Sequence, residues 1–337
     1  MKTQKKWLLL VGVLLAFSAC RGPMKDYDYQ PFTPAVYFLT TQYAEIDGIR
    51  VAYVETGPPE APALIFIHGL LGRLDSWQDN VPAFADRYRV LALDLPGFGD
   101  SEKDDRDYTI ALFAQVVKGL MDQKNMAKAT LIGNSMGGQV AAFFALHYPE
   151  RVDKLVLVDS AGLMHPPFFV RLVLGHTNQM ADWIVRRVQR RSQGKSVAEI
   201  YETLHQTIFN PERKPRIHLA ADLKNPNVVA LMDSYAHYYA GLVKTREFEW
   251  HVKAALRSAR SIERTNLEKQ VGAVRAPTLI VWGDEDRLVL PQFATFFHKA
   301  ISGSQLVWIA GTGHIPQVEK PEEFNRAVNE FLAGPPR

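Results

Sequence analysis

Thr130-Leu-Ile-Gly133-Asn-Ser135-Met-Gly137-Gly138-Gln-Val-Ala-Ala-Phe-Phe-Ala-Leu-His147 decides how this chain is read. A short apolar run meets a Gly-x-Ser-x-Gly turn, and a helical pattern follows from Gly138 to His147. Such a turn aims a serine hydroxyl away from a sheet only if the residues two before and two after it carry no clashing side chain. Gly133 and Gly137 meet that demand, so Ser135 is the candidate nucleophile. A serine hydroxyl is unreactive at neutral pH without a base, so the rest of the chain has to supply one.

Outward from that turn, the apolar runs Ala63–Ile67, Arg89–Leu93, Thr130–Ile132, Leu155–Val158, Thr278–Trp282 and Gln305–Ile309 are continuous, not alternating. That pattern suits strands buried on both faces of a parallel sheet. Ahead of them, Tyr43–Ile46 and Ile49–Glu55 flank Asp47-Gly48, which predicts a hairpin. Helical patterns at Ile110–Met121, Gly138–His147 and Gln292–Ala300 fall between strands. The sum is an α/β architecture: an eight-stranded, mostly parallel sheet with helices on both faces. Between Asp159 and Thr278 no convincing strand occurs, which predicts a helical cap over residues 163–265, with the core formed by 35–162 and 266–337.

Of the ten histidines, His314 in Gly311-Thr-Gly-His314 follows the last strand and belongs on the sheet's carboxyl edge, where Ser135 also lies. It is the candidate base. The acid that orients it has two candidates in the loop after the seventh strand, Asp284 and Asp286. An oxyanion formed by attack needs aimed N–H donors; the amide of Met136, directly after the nucleophile, is one. No metal or organic cofactor is implied by this chemistry, and ligand clusters are absent from the sequence.

These residues resemble the α/β-hydrolase superfamily from about Tyr43 to Leu332. Asp94-Leu-Pro-Gly-Phe-Gly-Asp-Ser101 is similar to its D-x-P-G-x-G-x-S turn, and Gly313-His-x-Pro-Gln-Val-Glu-x-Pro-Glu-Glu-Phe324 to its histidine loop. The resemblance implies Asp286 as the triad acid, because related loops place it fourth in Gly-x-x-Asp; Asp284 stands next, and Asp159 third because some relatives carry the acid after the sixth strand. It also implies Leu70, in His68-Gly69-Leu70, as the second amide of the oxyanion hole. His68 precedes the serine, against the superfamily's order of Ser, acid, His, and is read as structural. The elbow Gly-Asn-Ser-Met-Gly-Gly, Val158-Asp-Ser-Ala-Gly162 and Trp282-Gly-Asp-x-Asp resemble bacterial lipoprotein lipases of the Moraxella lipase 3 type and monoacylglycerol lipases. They imply a serine esterase for small acyl esters or lipids. Carbon–carbon bond hydrolases of aromatic breakdown share triad and cap, although their oxyanion turn usually reads His-Gly-x-Gly-Pro-Gly. A non-catalytic binding protein on the same fold is the third reading.

The amino-terminal end predicts where the protein works. Lys2, Lys5 and Lys6, an apolar run from Trp7 to Phe17, and Ser18-Ala19 before Cys20 have the order of a secretory signal over residues 1–19. Cys20 is the only cysteine, and Phe-Ser-Ala-Cys resembles the lipobox of bacterial lipoproteins, so acylated Cys20 is the expected membrane anchor, with residues 20–34 as a tether. With Arg21 after the cysteine, the resemblance implies the outer membrane. A net charge of +3 is too small to suggest a nucleic-acid partner. Residues 160–265 carry 16 Lys and Arg against 9 Asp and Glu, so the cap is the basic part. Within it, Trp183, Ile184 and Val188 are expected to share one helical face, and Phe168, Phe169 and Trp183 to line the acyl site.

Overall fold

The computed structural model describes residues 39–163, 174–209 and 221–334. The signal and tether readings, Cys20, Phe168 and Phe169 lie outside the described residues. Eight strands form one sheet: β1 (Gln42–Ile46), β2 (Ile49–Thr56), β3 (Ala63–Ile67), β4 (Arg89–Leu93), β5 (Ala129–Asn134), β6 (Val152–Val158), β7 (Thr278–Gly283) and β8 (Gln305–Ile309). Their spatial order is β1-β2-β4-β3-β5-β6-β7-β8. The β1/β2 and β2/β4 pairs are antiparallel, and every pair from β4/β3 to β7/β8 is parallel. Asp47 and Gly48 close the first hairpin with φ of 51° and 74°, the positive angles that a two-residue turn requires.

Side-chain alternation splits the core into two layers. Ile65, Ile67, Leu91, Leu93, Leu131, Leu155, Leu157, Ile280 and Trp282 face the layer covered by α1 (Ile110–Gln123) and α2 (Met136–His147). Leu64, Phe66, Val90, Ala92, Ile132, Val156, Val158, Leu279 and Val281 face the other layer, with Trp77, Phe84 and Phe324. Thr109 starts α1 by accepting a hydrogen bond from the Leu112 amide, a side-chain cap. The strands extend beyond their apolar runs where polar residues find partners. Lys154, inside β6, is buried and its Nζ donates to the carbonyls of Phe331, Leu332 and Gly334.

Between β6 and β7 the described residues hold four helices: α3 (Thr177–Ser192), α4 (Val197–Phe209), α5 (Pro226–Leu242) and α6 (Glu247–Arg264). They build a core of their own from Ala181, Ile184, Val185, Val188, Ile200, Leu204, Ala236, Ala240, Val252 and Leu256. One expectation is corrected here. Trp183 does not share the face of Ile184 and Val188; the buried positions are 181, 184, 185 and 188, and Trp183 is 44% exposed with the Arg187 guanidinium over its ring. It lies one position off the apolar stripe, outside the insertion's own core. The sheet side is completed by α7 (Gln292–Ala300) and α8 (Pro321–Ala333). No helix among the described residues is long and apolar enough to cross a membrane.

The helical insertion rests on loops at the carboxyl ends of β3 and β4. From α5, Tyr239 Oη donates to the Leu71 carbonyl at 3.0 Å and Tyr238 Oη to that of Gly99 at 2.7 Å. Tyr235 Oη accepts from the Arg73 amide at 3.1 Å, and Ser234 Oγ donates to Asp75 Oδ2 at 3.1 Å. Four side chains of one helix therefore hold the loops beside the serine turn.

Candidate active site

Ser135 sits between β5 and α2 with φ 56° and ψ −116°, a left-handed conformation that L residues adopt only under constraint. The constraint is backbone hydrogen bonding: the Ser135 amide donates to the Val158 carbonyl at 2.9 Å, and its own carbonyl accepts from Ala161 at 2.9 Å and Gln139 at 3.2 Å. A Cβ added to Gly133 would overlap the Gly137 carbonyl, and one added to Gly137 would overlap that of Ile67. Both glycines are thus fixed by close backbone approach, as the turn demands.

The other two loops converge on this point. Asn134, immediately before the serine, donates from Nδ2 to the His314 carbonyl at 3.0 Å. His314 Nδ1 lies 2.8 Å from Asp286 Oδ2, with both residues buried. An ionised carboxylate only accepts, so Nδ1 carries the hydrogen and Nε2 keeps the lone pair that a general base uses. Asp286 is held in turn, its Oδ1 accepting from the amides of Leu288 at 2.7 Å and Val289 at 3.0 Å. The acid and histidine loops also touch through their backbones, since Glu285 donates to the Thr312 carbonyl at 3.0 Å. Asp284 takes no part: it is exposed and its Oδ1 accepts from the Gly311 amide at 2.6 Å.

The oxyanion candidates stand where the elbow meets the β3 turn. Met136 is the first residue of α2, so its amide is one of those with no partner inside the helix. Beside it, a Cβ on Gly69 would lie 3.2 Å from Ser135 Cβ, which places the His68-Gly69-Leu70 turn directly against the serine. Leu71, next in that turn, has φ 62°. His68 is fully buried, with Nδ1 donating to the Gly69 carbonyl at 2.7 Å and Nε2 accepting from the Leu95 amide at 2.9 Å. Burial lowers its pKa to about 4, so it is a neutral strut between two loops.

Sequence reasoning gave no role to Glu319 or Arg73, and it weighed Asp159 only as a rival acid. Glu319, in the histidine loop motif, accepts from the Gly313 amide at 2.9 Å and so shapes the loop that carries His314; burial raises its pKa. Arg73 lies half-buried beside Asp75, its Nε 3.7 Å from Oδ2, with its guanidinium 4.0 Å from the Tyr238 ring centroid. Asp159 directly follows β6, fully buried, and shares a cluster with Asp286 and His314 in which one atom of each lies within 4.8 Å of the others. That spacing could admit a metal ion, but His314 Nδ1 and Asp286 Oδ2 are joined to each other and Asp286 Oδ1 already takes two amides. The His314–Asp286 pair is therefore hydrogen-bonded within itself, with few lone pairs of Asp286 left for ligation.

The alpha/beta hydrolase fold family model matches residues 62–321. Among curated proteins, the 2-hydroxy-6-oxo-6-phenylhexa-2,4-dienoate hydrolase of Comamonas testosteroni is 30% identical over 300 residues, covering 88% of this chain and 95% of that one. An uncharacterized hydrolase of Bacillus subtilis is 28% identical over 292 residues, 85% of this chain and 96% of its own. Among solved structures, a bacterial membrane phospholipase A described as a virulence factor is similar with a TM-score of 0.65 at 26% identity, covering 89% of this chain and 87% of that one.

Proposed function

This chain belongs to the alpha/beta hydrolase family, and on that premise we propose that it is a serine hydrolase of carboxylic esters, with lipid or small acyl esters as substrates. The observation that carries the reading is the buried 2.8 Å contact of His314 Nδ1 with Asp286 Oδ2, one loop away from a serine held at φ 56° on a strand-to-helix turn. Ser135 Oγ attacks the ester carbonyl while His314 takes its proton. The amides of Leu70 and Met136 donate to the oxyanion, and Asp286 stabilises the imidazolium. The alcohol leaves with the proton from His314, and water then attacks the acyl-enzyme by the same route.

The likeness to a membrane phospholipase A supports an acyl ester of lipid origin, as does the sequence resemblance to lipoprotein lipases and monoacylglycerol lipases. The likeness to a dienoate hydrolase supports a second reading, cleavage of a carbon–carbon bond beside a carbonyl on the same triad. One experiment separates them: the full chain is assayed against p-nitrophenyl esters from two to sixteen carbons and against 2-hydroxy-6-oxo-6-phenylhexa-2,4-dienoate. Ester turnover that vanishes in Ser135→Ala, with no dienoate consumption, is the expected result. Dienoate turnover without ester turnover overturns it.

Export and anchoring belong to the same proposal. Cys20 becomes the acylated amino terminus after removal of residues 1–19, and its lipid chains hold the protein on a bacterial membrane, the outer one by resemblance. Two or more chains, each worth about 0.8 kcal/mol per buried methylene, make such an anchor stable. Mass spectrometry of the mature amino terminus should find a lipid-modified Cys20; an unprocessed Met1 would remove this part.

A further inference from the structure

Asp159 is buried to the last atom at the carboxyl end of β6, and its φ of 42° lies in the left-handed region. Its Oδ1 accepts from the Gly283 amide at 3.1 Å. Its Oδ2 is buried too, and among the described residues no donor reaches it. The group beside it is Asp286, with carboxyl atoms of both within 4.8 Å of each other and of His314. Two ionised carboxylates this close, away from water, repel strongly, and such pairs resolve the conflict by keeping one proton between them.

The lone pairs say which residue keeps it. A carboxylate offers about four acceptor sites, and Asp286 fills three, with the amides of Leu288 and Val289 and with His314 Nδ1. Asp159 has one oxygen without a donor. We propose that Asp159 is a neutral carboxylic acid whose O–H donates to the Asp286 carboxylate, completing its shell and making Asp159 a positioning residue for the triad acid. Burial first, and then the charge of Asp286, raise the Asp159 pKa well above the usual carboxylate range, which agrees. The negative charge stays on Asp286, where it faces the imidazole, and four donors fix the carboxylate's rotation. The backbone narrows the residues that can serve: Asn, Asp and Gly tolerate φ of 42° better than other types.

The inference rests on Asp286 being the triad acid, so Asp286→Asn is assayed beside Asp159→Asn and Asp159→Gly, with p-nitrophenyl butyrate as substrate. Asn at 159 keeps both bonds, its amide oxygen accepting from Gly283 and its NH2 donating to Asp286. Its kcat should stay within about threefold of the wild type. Gly at 159 suits the backbone but removes the donor; kcat should fall about tenfold or more with KM within about twofold, the signature of a lost transition-state interaction. Asp159→Asn falling as far as Asp286→Asn would overturn the proposal, since Asp159 would then work as an ionised acid. Wild-type kcat in Asp159→Gly would overturn it as well. Retained activity in Asp286→Asn would instead sink the triad assignment. If the Gly variant fails to fold, the Asn variant decides alone.

Discussion

Replacing His68 by Gln should change how stability responds to acid, by an amount that its surroundings set. The neutral imidazole donates from Nδ1 to Gly69 and accepts at Nε2 from Leu95. A second proton would sit on Nε2, aimed at an amide N–H 2.9 Å away. Burial lowers the pKa from 6.5 to about 4. With the folded pKa depressed, the unfolded chain binds the proton first as pH falls, so stability is lost on acidification. Between pH 7 and pH 5 the integrated difference is about 1.3 pK units, or about 1.8 kcal/mol at 1.36 kcal/mol per unit. Wild type alone cannot reveal this, because other buried groups titrate in the same window. His251, lowered to about 3 by burial, has the same slope; Asp94, raised to about 7 by burial, gains stability over the same interval and offsets it. The difference between His68→Gln and wild type isolates the group, since Gln retains an acceptor for Leu95 but does not titrate. Urea unfolding at both pH values should show the variant's deficit shrinking by about 2 kcal/mol from pH 7 to pH 5. A deficit that stays constant within about 0.5 kcal/mol would refute the strut assignment.

Asp286→Asn should lower kcat on p-nitrophenyl butyrate by about ten-thousand-fold through the wrong imidazole tautomer, while Asp284→Asn, whose carboxylate faces Gly311 at the surface, should change it less than about threefold; a reversed order moves the acid to Asp284. Ser135→Ala and His314→Ala should each abolish hydrolysis while leaving the circular dichroism spectrum and unfolding midpoint near wild type, and retained turnover in either would discard the triad. Gly137→Ala forces a methyl into the Ile67 carbonyl, so it should destabilise by about 3 kcal/mol or more and remove activity, as measured by urea unfolding and ester assay. Tyr239→Phe removes the hydroxyl that donates to Leu71; a lost hydrogen bond of about 1 kcal/mol predicts about a fivefold fall in kcat/KM, seen in steady-state kinetics.

Ala63–Ile67 and Arg89–Leu93, buried inside the sheet, stand in the structure with the bounds their apolar runs predict. Gln305–Ile309 has the predicted bounds too, but it is the edge strand and not buried on both faces as its apolar run suggested: Gln305 and Trp308 are exposed. Val152–Lys154 hid because Asp153 and Lys154 break the run, and only the tertiary fold supplies the three carbonyls that let Lys154 be buried. The elbow was legible because sterics leave few residue types for such a turn, and the choice of Asp286 over Asp284 agrees with the side chain that meets His314. Trp183 was misread for a geometric reason, since one residue is about 100° around a helix and a short apolar list does not fix which edge of the stripe is buried. Asp159 entered the sequence reading only as a rival acid. Its pairing with Asp286 joins the ends of β6 and β7, 127 positions apart in the chain, and no local pattern announces it.

The remaining signal that no motif carried is the coupling of the helical insertion to the oxyanion turn. Leu71 at φ 62° is an unfavourable conformation for a branched side chain, about 1 to 2 kcal/mol above the right-handed one. Three contacts hold the segment there: the Gly72 amide closing the turn on the Gly69 carbonyl at 3.0 Å, Tyr239 from α5 on the Leu71 carbonyl, and Tyr235 from the same helix on the Arg73 amide. Arg73 itself is anchored by Asp75 and by the face of Tyr238, and Tyr238 reaches on to Gly99 in the loop after β4. Leu70, the amide assigned to the oxyanion, lies one residue before this clamp. A donor useful in a transition state must be aimed before the charge appears, because an N–H that swings into place during attack gives back part of what it stabilises. Through three tyrosines on one helix, the insertion therefore holds the strained turn that carries the proposed oxyanion donor.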